Sequence, residues 1–248
     1  FINIIQYAYE QGINFFDTAD TYGASAEEIL AEAVEPFRHE VYLATKVGIS
    51  EGTKPNLNKE YVIQACENSL KRLNTERIDL YQIHFDDPTT SISDTISALE
   101  ELVKQGKIRN YGLGHLSMGR IQEYNNLGDP FSILFELSAV ARDSLDDVVP
   151  FCRKKDLFGI AFSITGRGVL TGKINKNVTF EPGDIRVLDP LFQRERFQSA
   201  LRITDTLKKI GQRFDKTPVQ VAINWVLLQP GISCALTGAS TVSHLKEN

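Results

Sequence analysis

The chain has 248 residues, 42% of them hydrophobic and 24% charged, with 27 Lys+Arg against 32 Asp+Glu for a net charge of −5. This length can bury roughly 70–75% of the unfolded surface without metal or disulfide staples, and the composition excludes disordered, collagen-like and coiled-coil chains; cationic runs no longer than Lys154-Lys155 and Lys208-Lys209 predict no nucleic-acid partner. Three widely spaced cysteines (Cys66, Cys152, Cys234) without Cys-x-x-Cys, no apolar stretch of about 18 residues and no signal peptide predict a cytoplasmic protein with no membrane partner.

The chain opens in a helix whose Phe1, Ile4, Ile5 and Ala8 share one face and which Gly12 ends. Short apolar runs then alternate with amphipathic stretches: strand 13–16, helix 26–35, strand 41–45, helix 59–73, strand 78–83 and helix 92–105, whose stripe is Ile92, Ile96, Leu99 and Val103 and whose stop is Gly106. The alternation continues through strand 108–113, helix 118–127, strand 131–137, helix 145–155, strand 159–162 and helix 197–214. A last helix starts at Thr217-Pro218-Val219-Gln220, a capping box with proline at its first helical position, and the final strand is 232–236. Residues 181 to 195 read as a mobile flap.

Helices separate all seven strands and no hairpin dipeptides intervene, so the sheet is predicted to be parallel. A doubly wound sheet would carry Gly-x-Gly-x-x-Gly in its first strand–helix turn, and no such turn occurs. The expected fold is therefore α/β, a (β/α)₈ TIM barrel forming one domain over 1–248. Its first strand and N-terminal segment are expected to be missing from this chain, and the natural protein is expected to be longer at both ends.

Three ionisable residues then fall at strand ends: Asp17, Lys46 and His84, 29 and 38 residues apart, with Tyr22 in the first of the following loops. In a barrel these ends form the floor of the active site, so the four converge. Each has a plainer explanation alone: Asp17 as a turn cap beside Asp20 and Thr21, Lys46 as a snorkelling side chain, His84 as a structural histidine, Tyr22 as packing. Coincidence at one rim favours a shared chemistry, the delivery of a proton to a carbonyl. Tyr22 is the acid, the Lys46 ammonium eases release of its proton, Asp17 is the counter-ion that a buried ammonium requires, and His84 is placed to hold the substrate oxygen. No activated Ser or Cys nucleophile is evident.

Several segments resemble the aldo-keto reductase superfamily, from one end of the chain to the other. Gly12-Ile13-Asn14-Phe15-Phe16-Asp17-Thr18-Ala19-Asp20-Thr21-Tyr22-Gly23 is similar to the first signature of that family. Ala44-Thr45-Lys46-Val47-Gly48 is similar to its lysine strand, Leu70-Lys71-Arg72-Leu73 with Ile78-Asp79-Leu80-Tyr81-Gln82-Ile83-His84 to its second signature, and Gly106-Lys107-Ile108-Arg109 to the approach to its fifth strand. The resemblance implies a (β/α)₈ barrel that reduces aldehydes or ketones with a nicotinamide cofactor, NADP(H) in preference to NAD(H), and it carries over Asp17, Tyr22, Lys46 and His84 as catalytic tetrad.

For the cofactor the resemblance implies Gly114 and His115 after the fifth strand, then Ser163, Gly166, Arg167, Gly168, Leu170 and Gly172 over the pyrophosphate. Gly238, Ala239 and Ser240 with His244, Glu247 and Asn248 fall at the adenosine-phosphate end. Three departures stand out. Gly114-His115 replaces the usual Ser-Asn, the positions expected to grip and stack on the nicotinamide fall on Leu134 and Leu137, and neither Lys nor Arg lies between Gly238 and Leu245. The weakened grip makes a cofactor-holding sensor on the same scaffold the competing reading. A metal-dependent hydrolase built on His84, Asp86, Asp87 and His115 is a third, with no His-x-His and an incomplete ligand set. The expected partner is a small carbonyl compound; substrate identity and oligomeric state are not encoded legibly.

Overall fold

The computed structural model describes residues 1–23, 25–50 and 54–248, which form two compact units, 1–134 with 240–242, and 135–239 with 243–248.

The first unit alternates helix and strand: α1 (Ile2–Glu10), β1 (Phe15–Asp17), α2 (Ala26–Val34), β2 (Tyr42–Val47), α3 (Lys59–Arg72), β5 (Ile78–Ile83), α4 (Ile92–Lys104), β6 (Ile108–Gly114), α5 (Met118–Leu127) and the start of β7 (Ser132–Glu136). Between β2 and α3 lies an antiparallel pair, β3 (Ile49–Ser50) with β4 (Lys54–Pro55), in addition to the seven strands expected. No Asn-Gly or Asp-Gly turn announced it; two residues per strand leave too short a run for alternation to register. Strands β1, β2, β5, β6 and β7 are hydrogen-bonded in that order, all parallel.

Local chemistry explains the boundaries. Asn58, Ser91 and Ser117 each accept the backbone N–H three residues on, opening α3, α4 and α5. Strand β5 is buried at every residue, as expected where helices cover a parallel sheet. The pleat divides it: Asp79 accepts from Leu43 N and from Arg38, whereas Gln82, three residues on and therefore on the other face, reaches Asp17. Register places Lys46 beside Gln82, Gln82 beside Gly112, and Gly112 beside Ser132, so polar residues from three strands and a glycine occupy one level. Glu27, on the first turn of α2, is buried and accepts from Thr45 Oγ1 (2.6 Å) and Arg72 Nε (2.6 Å), tying α2 and α3 to β2.

The second unit continues β7 and adds α6 (Val148–Lys155), β8 (Phe158–Phe162), α7 (Arg194–Gln212), α8 (Pro218–Leu227), β9 (Cys234–Ala235) and the greater part of α9 (Val242–Glu247). Strand β9 pairs in parallel with β8. Thr217 and Gln220 form the expected capping box. Residues 181–195 hold two short 3₁₀ turns, each started by an aspartate that accepts a backbone N–H two residues on, Asp184 from Arg186 and Asp189 from Leu191. Phe192 packs on Phe180 and Phe197, and the core of the unit gathers Val169, Leu170, Ala200, Leu207 and Ala222.

Candidate active site

Asp17, Tyr22, Lys46 and His84 all lie in the first unit, at the carboxyl ends of β1, β2 and β5. Parallel pairing aligns these ends: Thr18 N donates to Ala44 O and His84 N to Val47 O. Lys46, the penultimate residue of β2, points inward and is 1% exposed. Its ammonium is ion-paired with Asp17 Oδ1 and donates to Thr18 O at 2.7 Å, which answers the requirement that a buried charge be paired and hydrogen-bonded. Burial pushes the Asp17 carboxyl up, against the opposing pull of Lys46 and of Gln82 Nε2, which donates to Asp17 Oδ2 at 3.0 Å.

Tyr22 is 55% exposed, and its ring lies between two of the other groups. Lys46 Nζ sits 4.7 Å from its centroid, a cation–π contact, and the His84 ring meets it edge-on at 5.6 Å. His84 is buried, and its Nδ1 is 3.3 Å from Thr21 Oγ1. Desolvation lowers its pKa to about 3, with the Lys46 ammonium and then His115 acting in the same direction, so the ring is neutral at every ordinary pH. Phe85 and His115 complete an aromatic wall: His84 to Phe85 is 4.3 Å, His84 to His115 5.4 Å, and Phe85 to His115 5.3 Å between centroids. His115 follows Gly114, the last residue of β6, in a left-handed conformation (φ 51°) that turns the chain off the strand.

Two participants were missed in the sequence. Thr21 was taken only as an alternative cap. Gln82 was passed over, although a polar residue inside Leu80-Tyr81-Gln82-Ile83, on the face that leads to His84, was the available signal.

The expected cofactor residues divide between the units. Gly114, His115 and Ser240 belong to the first; the others belong to the second. There Ser163 (φ 58°), Gly166 (φ 57°), Arg167 (φ 52°), Gly168 (φ 92°) and Gly172 (φ 75°) pack five left-handed residues into ten, held by Gly166 N to Ser163 O (2.8 Å) and Leu170 N to Thr165 O (3.1 Å). A Cβ on Gly166 would lie 2.7 Å from Val140 Cγ2, so the turn admits only glycine without rearrangement. Ser163 Oγ is buried without a hydrogen-bond partner. Arg167 pairs with Asp189 and, at 3.6 Å, with Glu136, while Leu170 is core rather than surface.

Lys173, next after Gly172, pairs with Glu247 Oε2 at 2.6 Å. The glycine-rich segment is thereby joined to the segment holding His244, Glu247 and Asn248. Asn248 Nδ2 donates to Thr237 Oγ1 (3.0 Å) and lies 3.5 Å from Gly238 O, the residue before Ala239. Leu134 and Leu137 are both buried; Leu137, at 0% exposure, offers no face to a planar ring. Phe162, half-buried at the end of β8 beside Ser163, accepts from Leu137 N at its backbone oxygen (3.2 Å).

The carboxylates of the hydrolase alternative are engaged elsewhere. Asp86 takes three hydrogen bonds from Arg120 at 2.9–3.1 Å, and Asp87 accepts from Leu57 N, Thr89 and Thr90, which hold it down at about 2. Among the described residues no group of three His, Cys, Asp or Glu could hold a metal ion, and no helix is long and apolar enough to cross a membrane.

An ammonium anchored by a carboxylate, a phenol over it and a neutral imidazole beside the phenol thus share one rim, an arrangement able to bind a carbonyl oxygen and give it a proton. Comparison with known proteins agrees. The model of the Aldo/keto reductase family matches residues 1–248. Aldo-keto reductase YhdN of Bacillus subtilis (strain 168) is 34% identical over 252 residues, covering 99% of this chain and 76% of that protein. The glycerol dehydrogenase AKR11B4 from Gluconobacter oxydans superposes with a TM-score of 0.92 at 30% identity, covering 99% of this chain and 78% of that one. An aldo/keto reductase from Klebsiella pneumoniae, solved in complex with NADP and acetate, shares the fold with a TM-score of 0.79 at 24% identity, over 100% of this chain and 77% of its own. The chain belongs to the aldo/keto reductase family, and its neighbours in fold are aldo-keto reductases.

Proposed function

We propose that this protein reduces a small aldehyde or ketone with NADPH, Tyr22 giving the proton, Lys46 and Asp17 stabilising the charge that this leaves, and His84 orienting the carbonyl. The observation that carries the reading is the placement of the Tyr22 ring between the buried Lys46 ammonium (4.7 Å) and the His84 imidazole (5.6 Å). The reduced nicotinamide supplies the hydride. What the chain's own residues do follows from their environment.

The carbonyl oxygen becomes an alkoxide as hydride arrives, and donors aimed at that developing charge lower the barrier. The Tyr22 hydroxyl is one. The neutral His84 ring is the other: in the tautomer whose Nδ1 accepts from Thr21 Oγ1, the ring proton is on Nε2 and is the donor for the substrate oxygen. As the Tyr22 proton moves to the alkoxide, negative charge appears on the phenol oxygen, and Lys46, held in place by Asp17 and Thr18 O, stabilises it without reorganising. Phe85 and His115 line the mouth and favour a substrate with a flat or apolar body.

The cofactor suits the residues available. Ser163 Oγ has hydrogen-bonding capacity left over, the left-handed turn that follows it is fixed by the close packing of Gly166 on Val140, and the Lys173–Glu247 pair ties the segments expected over the pyrophosphate and at the adenosine end. NADPH over NADH rests on the family's habit.

Tyr22→Phe tests the assignment. With NADPH and 4-nitrobenzaldehyde, followed by absorbance of the reduced cofactor, turnover falls by about 10²–10⁴-fold, the usual worth of a positioned acid. NADPH affinity, from fluorescence quenching, stays near wild type. Retention of most of the turnover would reject Tyr22 as the acid.

A further inference from the structure

Gln82 has no part in the scheme above, yet its side chain is 0% exposed and its Nε2 is spent on Asp17 Oδ2 at 3.0 Å. Lys46 takes the other oxygen, Oδ1. Asp17 is thus held by two donors from adjacent strands at one register level, Lys46 opposite Gln82. The carboxylate accepts only, so Nε2 must face it; the amide oxygen, Oε1, is left buried without a partner. Leucine or methionine would fill the same space with no orphaned acceptor, so an amide is retained here at a cost that its one hydrogen bond must offset. Space for it comes from Gly112 on β6, where a Cβ would lie 2.2 Å from Ser132 Oγ and 3.3 Å from Gln82 Cγ.

We propose that Gln82 is a positioning residue of the reduction: by donating to Asp17 Oδ2 it turns the carboxylate so that Oδ1 meets Lys46, and through Lys46 it acts on Tyr22. The proposal rests on the roles given above to Asp17, Lys46 and Tyr22. The charged or titratable groups gathered around Asp17 and Lys46 are Tyr22 over the ammonium, His84 beyond the phenol, and Asp20, which burial and then Glu27 raise to about 6 against the pull of Arg72 and Lys46. Burial pushes the Asp17 carboxyl up, and Lys46 and Gln82 are the groups that oppose it. Without the amide, Asp17 takes up its proton at higher pH, and a protonated Asp17 anchors Lys46 poorly.

Gln82→Met keeps the length and removes the donor. Its kcat falls about ten- to a hundredfold, the worth of one hydrogen bond to a charged group, KM for 4-nitrobenzaldehyde and NADPH affinity change little, and the acid limb of the kcat–pH profile moves to higher pH. Gln82→Glu, nearly isosteric, behaves differently: its neutral acid donates to Asp17 at low pH, so activity is recovered there and is lost as pH rises and two carboxylates confront each other. It also carries the test if the Met variant does not fold. Tyr22→Phe is assayed alongside. Wild-type kcat and pH profile in both Gln82 variants, or an equal loss at every pH, with Tyr22→Phe inactive, overturns the role of Gln82 and leaves the reduction scheme standing. Substantial turnover in Tyr22→Phe overturns the scheme and with it the proposal.

Discussion

Lys46→Met is the perturbation whose outcome follows most directly from the structure. The variant removes an ammonium that is 1% exposed together with its bonds to Asp17 and to Thr18 O. Asp17 is left buried with Gln82 Nε2 as its remaining side-chain donor. Breaking a buried ion pair from one side costs about 3–5 kcal/mol, and for a chain of this size each kcal/mol lowers Tm by roughly 2–4 °C, so a fall of about 6–20 °C at pH 7 is expected. The deficit depends on pH in a definite direction. Burial already raises the Asp17 carboxyl against the pull of Lys46; without Lys46 it rises further, so the folded variant binds the proton more tightly than the unfolded chain. Stability therefore declines as pH rises from about 4 through the raised folded value, and the full deficit is present above it. Thermal unfolding followed by circular dichroism at pH 5 and pH 7 measures this: the gap to wild type is smaller at pH 5. Lys46→Met/Asp17→Asn removes both charges and recovers part of the loss at pH 7. An equal Tm deficit at the two pH values, or a double variant less stable than Lys46→Met, would refute the account of a buried, mutually dependent pair.

Three other outcomes follow. His84, lowered to about 3 by burial, Lys46 and His115, gains no charge between pH 5 and 8; NMR titration of its ring protons gives no inflection in that window, and a midpoint near 6.5 would contradict the site geometry. Gly166→Ala places a Cβ 2.7 Å from Val140 Cγ2 at φ 57° and costs about 1–3 kcal/mol in urea unfolding, with weaker NADPH binding; unchanged midpoint and affinity would show that the turn relaxes freely. Glu247→Gln releases Lys173 from its ion pair and weakens NADPH binding by up to about fivefold, the upper worth of an exposed pair, as read by fluorescence quenching. Affinity equal to wild type at low salt would dissociate this clamp from cofactor binding.

Most of the helices and strands were legible because amphipathic periodicity and caps are local. The Thr217–Gln220 box marks a helix start in the sequence and does so in the fold. The β3–β4 pair was not legible, since two-residue strands carry no period. Among the site residues, Asp17, Lys46 and His84 were found because a charged group ending an apolar run conflicts with its surroundings. Gln82 and Thr21 carry the same kind of conflict more weakly, being neutral.

From its sequence alone the chain determined the order of helices and strands, the parallel sheet and the residue types at the strand ends, because each depends on neighbours within a few positions. Tertiary structure decided which partners those residues meet: Lys46 with Asp17 from β1, Asp17 with Gln82 from β5, Lys173 with Glu247 from the far end of the chain. Such pairings depend on strand register and on space left by glycines such as Gly112. Register between strands tens of residues apart is set by the packing of whole faces, which no local stretch of sequence records.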